Sequence, residues 1–179
     1  MSGMTIEPDL KDWTWVLERP CADCGFSPDV DVRAVPARVR DMVPLWADVL
    51  GRPDATTRPD ESTWSPTEYA CHVRDVCTLF AERIALMLDQ DDPQFANWDQ
   101  DETAVEQRYD QQQPTAVAAE LADAAELIAS TIESVPDDSW QRSGRRSNGS
   151  RFTVETLIVY FLHDLEHHLV DAKVAAIND

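Results

Sequence analysis

Four stretches of this chain place apolar residues three and four positions apart, and no stretch makes a convincing strand. That period belongs to helices that bury one face, so it restricts the fold to packed helices before any single residue is weighed. In the first stretch Val39, Met42, Val43, Trp46 and Leu50 share a face. The helix is expected to start between Arg33 and Pro36 and to stop at Gly51-Arg52-Pro53. Pro44 falls inside it and should bend it or open a new first turn.

The second helix has the clearest start signal in the chain, Trp64-Ser65-Pro66-Thr67-Glu68. Ser65 can cap, Pro66 suits the first helical position and Glu68 completes a capping box. Tyr69, Val73, Val76, Phe80, Ile84 and Met87 then form a stripe that runs to about Leu88, with His72 on its edge. A third helix is expected from Pro114 to about Ser134, and a fourth from Thr153 to about Ala176.

Between these helices the signals are weaker. Residues 1–32 read as an irregular arm, whose Trp13 and Trp15 should anchor it to the main body. Residues 89–113 are acidic and without period, and a connection that long is usually functional or partly disordered. Residues 137–151 form a loop rich in Ser, Gly and Arg. The sum is an all-α four-helix bundle over residues 33–179, preceded by the arm, with at least one connection long enough to cross the bundle.

At 179 residues the chain can bury one substantial core. Acidic residues outnumber basic ones 34 to 15, a net charge of -19, so nucleic acid and anionic membranes are not expected partners. Arg142, Arg145, Arg146 and Arg151 make one local basic exception. No run of about 18 apolar residues and no secretion signal is seen, and a cytoplasmic location is expected. Cys71 and Cys77 fall on the second helix and should pack as small apolar residues. Cys21-Ala22-Asp23-Cys24-Gly25 is half of a zinc-ribbon pattern, but no second close cysteine pair follows. A zinc, a redox pair and inert loop thiols all stay open there.

The chemistry is concentrated in His163-Asp164-Leu165-Glu166-His167-His168. On a helix with Val154, Leu157, Ile158, Phe161, Leu165 and Leu169 inward, His168 lies about 20° and Asp164 about 60° from Phe161. Asp164 and His168, at i and i+4, are therefore one above the other on the inner side. His163 and His167 have the same spacing but fall about 160° and 120° away, looking outward in a straight helix. A carboxylate and two imidazoles, with His72 as the third donor, suit a divalent metal such as zinc, nickel or iron(II), and leave a position for water or substrate.

These residues resemble the DinB/YfiT-like superfamily of bacterial four-helix-bundle metal proteins over roughly residues 34–176. Trp64-Ser65-Pro66, with His72 eight residues after the tryptophan, is similar to the family's start of helix two and its first metal histidine. His163 to Asp171 resembles the C-terminal motif, in which a ligand is followed four residues on by a His, often the second of a His-His pair. The resemblance implies His72, Asp164 and His168 as metal ligands, with a rotated helix offering His163 and His167 instead. It implies Asp171 or His167 as groups that orient a ligand from behind. Asp164 stands where many members have His, nearer to the acidic variant of mycothiol-dependent maleylpyruvate isomerase. The implied function is a metal-dependent transferase or isomerase that uses a small thiol on a small-molecule electrophile, with zinc or nickel as the metal. The alternative is a non-catalytic metal-binding stress-response protein. The resemblance also implies a small-molecule substrate and a homodimer as the expected partners. Arg74, Arg83 or Arg151 could meet a substrate carboxylate, and the loop with Trp98 could close over the site.

Overall fold

The structure is a computed structural model that describes Ile6 and residues 12–174. Four long helices form a bundle: α1 (Val35–Leu50), α2 (Pro66–Asp89), α4 (Pro114–Glu133) and α5 (Val154–Val174). A fifth, short helix, α3 (Gln100–Glu106), lies in the connection between α2 and α4. The expected last residues of the fourth helix, beyond Val174, lie outside the described residues. No helix among the described residues is long and apolar enough to cross a membrane.

α4 packs on both α1 and α2, and α5 packs on the same two helices from the other side. The order around the bundle is therefore α1, α4, α2, α5, and sequence neighbours α1 and α2 face each other across it. The loop from Gly51 to Ser65 crosses the end of the bundle, as the sequence led one to expect of at least one connection. Trp46, Ile84, Ile128, Ile132, Leu157 and Phe161 fill the middle and are almost wholly buried. Each such side chain contributes about 1.5–3 kcal/mol by leaving water.

The start of α2 fixes its phase. Ser65 Oγ accepts from the Glu68 amide at 3.3 Å, and Glu68 Oε2 accepts from the Ser65 amide at 2.8 Å, completing the capping box. Arg58 closes over the same carboxylate with Nε at 2.9 Å from Oε2. α1 runs through Pro44 as one helix, so no new first turn begins there.

Two expectations about the connections need correction. Residues 89–113 hold α3, whose N-cap Asp99 accepts from the amides of Asp101 and Glu102 at 2.9 Å. None of its seven residues is buried, so it leaves no apolar stripe to read. The 137–151 loop runs into a hairpin, β1 (Ser143–Arg145) antiparallel to β2 (Arg151–Thr153). Three-residue strands are too short to show alternation. A Cβ on Gly144 would lie 2.7 Å from Phe95 Cζ and 2.9 Å from Met87 Cγ, so only glycine fits there. The hairpin ties its basic residues to the end of α2 and the chain just after it. Arg142 donates to the carbonyls of Met87 and Gln90, and Arg145 and Arg151 both pair with Asp92.

The arm is irregular, with two short 3-10 turns, Trp13–Leu17 and Val32–Ala34. Val16, Cys21, Phe26 and Val32 are buried, and the last three join the bundle's own apolar core.

Candidate metal centre

His72 points from the second turn of α2 towards α5 and is 1% exposed. Its ring is stacked on Trp98, 5.6 Å between centroids, and tilted against Trp64 at 5.5 Å. The edge of His168 meets it at 4.7 Å. Aromatic faces thus hold the imidazole on three sides. Neither of its ring nitrogens has a hydrogen-bond partner.

Asp164 and His168 come from adjacent turns of α5, on the inner side as the helical phase predicts. Asp164 Oδ2 lies 3.4 Å from His72 Nε2, and Asp164 Oδ1 lies 3.5 Å from His168 Nε2. One donor atom from each of the three residues lies within 4.8 Å of the others. The two carboxylate-to-imidazole separations are long for hydrogen bonds. Each carboxylate oxygen faces one imidazole, at a spacing close to that between neighbouring ligands of an ion bound at about 2.0–2.2 Å. The unpartnered nitrogens of the buried His72 point the same way, because a buried polar atom without a partner is costly. These three side chains therefore fit a divalent cation.

The three groups are coupled to one another through their charges. Burial pushes the Asp164 carboxyl up, but His168 and His72 more than offset this and hold it well below the usual range. Burial keeps the His72 imidazole neutral by lowering its pKa. Burial acts the same way on His168, yet Asp164 and Asp171 outweigh it and hold that imidazole up at about 9. Asp171 Oδ2 lies 3.1 Å from His168 Nδ1, so the outer nitrogen of this ring is fixed by a carboxylate and the inner one faces Asp164.

Two expectations about α5 meet different outcomes. Of Asp171 and His167, it is Asp171 that touches His168, 3.1 Å from its Nδ1. His163 and His167 do not look out into solvent: His163 is 4% exposed, and both rings lie under Trp13 at 5.5 and 5.1 Å. A helical wheel locates the side facing away from the bundle, but cannot know that a remote arm covers it. Trp13 does anchor the arm as its sequence suggests.

The centre opens on a cavity of about 550 Å³ walled by Trp98, Phe80, Arg83, Arg146, Tyr160 and Trp13, among others. That is the size range of small-ligand sites. Of the three arginines singled out for a substrate carboxylate, the structure brings only Arg83 to this cavity. Arg74 is taken up by Asp75 and Glu120, and Arg151 by Asp92. Arg83 is buried, with its guanidinium 5.4 Å from the Phe80 ring and 5.2 Å from the Phe95 ring, and no acidic partner among the described residues. Burial and the nearby Arg146 hold its pKa down at about 10. Arg146 donates to Tyr160 Oη at 3.0 Å in the same cavity. Tyr160 carried no signal in the sequence beyond its apolar surroundings.

Comparison with known proteins places this geometry in context. The profile of the DinB superfamily matches residues 37–171. Among solved structures, YfiT from Bacillus subtilis superposes with a TM-score of 0.65 at 17% identity, covering 81% of each chain. That protein is described as "a probable metal-dependent hydrolase with an unusual four-helix bundle topology". At this identity the likeness speaks for the fold. No curated protein matches the chain.

Proposed function

The chain belongs to the DinB superfamily, and on that premise we propose that it is a metal-dependent transferase or isomerase that brings a small thiol of the mycothiol type to an electrophilic substrate. His72, Asp164 and His168 hold the ion, with zinc or nickel suited to this donor set. A dication held by these residues would supply one thing, a lower pKa for a thiol beside it.

The remaining steps belong to the chain's own residues. Asp171 fixes the tautomer and tilt of His168 through Nδ1. Trp98 and Trp64 pack on His72 and shield the ligand set from bulk water. Arg83 and Arg146 form the cationic wall of the cavity and would take an anionic group of either substrate. An anionic substrate held by Arg83 and Arg146 would lie in the same cavity as His72, Asp164 and His168, which would turn an encounter in solution into a reaction of bound neighbours.

The observation that carries this reading is that the Asp164 carboxylate meets His72 at 3.4 Å and His168 at 3.5 Å on the wall of a cavity of small-ligand size. A second reading, metal-dependent hydrolysis, is favoured by the description of YfiT. A third keeps the metal without turnover, as a stress-response metal binder.

Protein loaded with zinc or nickel and offered a panel of thiols with a chloro-dinitrobenzene or a bimane separates them. Thiol-dependent product formation, abolished in His72→Ala, is the expected result. Turnover of esters or amides without any thiol would favour hydrolysis. Absence of turnover with every thiol, and with esters and amides alike, in metal-replete protein would leave only the binder.

A further inference from the structure

The flank of α5 next to the first centre carries a second set of donors. Cys21 and Cys24 of the arm and His163 and His167 of α5 each offer one ligand atom, and all four lie within 4.8 Å of one another. Zn–S bonds of about 2.3 Å and Zn–N bonds of about 2.0 Å place the donors of a tetrahedral site about 3.3–3.8 Å apart. A side-chain movement of about an ångström closes that shell. Cys21 Sγ is already 3.7 Å from His167 Nδ1.

We propose that Cys21, Cys24, His163 and His167 form a closed Cys2His2 zinc site that clamps the arm to α5. It is separate from the centre of His72, Asp164 and His168.

The local backbone is built for it. Cys21-Ala22-Asp23-Cys24-Gly25 folds into a tight turn, with the Gly25 amide donating to the Cys21 carbonyl at 2.8 Å and the Cys21 amide to the Phe26 carbonyl at 2.9 Å. Gly25 has φ +77°, a conformation that other residues rarely adopt, and this curls the chain so that both sulfurs face α5. Both cysteines are free thiols, one buried and one half-buried. His163 and His167 supply the matching i, i+4 pair on a helix. His163 Nε2 is buried without a hydrogen-bond partner. Phe26 and Trp13 cover the pair, with centroids 5.3 Å from His163 and 5.1 Å from His167 respectively. Burial, together with Cys21, raises the Cys24 thiol to about 11, a cost that a dication removes.

The other side of His167 ties the two centres together. Its Nε2 lies 3.6 Å from Asp171 Oδ2, the same oxygen that meets His168 Nδ1 at 3.1 Å. One carboxylate therefore stands behind a ligand of each centre. Four protein ligands leave no open position, so this site holds structure rather than reacts. What it holds is the cavity wall formed by Trp13 and the rotation of α5 that turns Asp164 and His168 inward.

The test uses the full chain, reduced, stripped of metal and titrated with cobalt(II). Wild-type protein should develop a sulfur-to-cobalt charge-transfer band and the intense visible bands of tetrahedral cobalt. His72→Ala should keep this spectrum while losing the other equivalent of metal. Cys21→Ser with Cys24→Ser should lose the charge-transfer band. Should the double variant not fold, X-ray absorption of zinc-loaded His72→Ala decides the matter: a shell of two sulfurs and two nitrogens is expected. A sulfur-free shell, a wild-type titration without the charge-transfer band, or a Cys21–Cys24 disulfide in protein that takes up metal only through His72 would each overturn the proposal. The spectrum survives failure of the thiol-transfer reading, and activity survives failure of this one in so far as the arm stays docked without metal.

Discussion

At the scale of single residues, the site divides into side chains whose role follows from helical phase and side chains whose role does not. Asp164 and His168 follow: a period of 3.6 residues puts them inward, and the structure sets them 3.4 and 3.5 Å from their partners. His163 and His167 do not, because what covers them lies roughly 140 residues earlier in the chain, beyond the reach of any local period. The signal that could have joined them was the spacing itself, Cys-x2-Cys with His-x3-His, split between the two ends of the sequence. Arg83 lies between the two cases. Its position in α2 was visible, its isolation was not. A buried guanidinium without a carboxylate costs stability, a cost that the anion proposed for this cavity would offset. Arg83→Met should therefore leave the unfolding free energy unchanged or raise it by about 1 kcal/mol. In the thiol-transfer assay it should raise KM for an anionic electrophile about tenfold, the worth of one charge-assisted hydrogen bond, while a neutral electrophile is unaffected. Denaturant melts alongside the two KM values check this. A large loss of stability would make Arg83 a packing residue only.

At the scale of elements, length decided what could be read. α2 declares itself through five residues of start signal and a stripe of six apolar side chains. α3 and the hairpin, of seven, three and three residues, fall below one clear period and are held by contacts from elsewhere. The strongest single point in α2 is Glu68, which serves the capping box and Arg58 at once. Burial pushes this carboxyl up, but Arg58 and the Ser65 amide pull it below its ordinary value. A group with a depressed folded pKa stabilises the fold fully above its unfolded value, about 4.3, and loses that contribution as pH falls through the folded value. Glu68→Gln should cost about 2–3 kcal/mol at neutral pH, since it unpairs Arg58 beside a buried cap. The gap between variant and parent should shrink as pH drops below about 4.3, where the parent's own carboxyl begins to protonate. Urea titrations of both proteins between neutral and acid pH provide the check. A gap that stays constant with pH would assign the loss to packing instead of charge.

At the scale of the whole molecule, the excess of acid sets how the fold responds to its solution. Charges summing to -19 on a chain of this size repel one another in the compact state more than in the unfolded one. Attraction works against this. Arg40 of α1 bridges Glu126 and Glu133 of α4, and Arg33, in the 3-10 turn before α1, meets Asp137 just beyond α4. All of these pairs are substantially exposed, so solvent screening leaves each of them weak. Long-range repulsion among the unmatched carboxylates should therefore outweigh them. Salt screens attraction and repulsion alike, with a Debye length of about 10 Å at 0.1 M, so the stronger of the two decides the sign of the response. Raising sodium chloride from about 0.05 to 0.5 M, at fixed metal content and neutral pH, should raise the thermal midpoint by about 5 °C, equivalent to roughly 2 kcal/mol. Scanning calorimetry at several salt concentrations measures it. A midpoint that falls with salt would mean that the Arg40 and Arg33 pairs carry more of the bundle's stability than their exposure allows, and the joint between α1 and α4 would then be held by charge and not by its buried face.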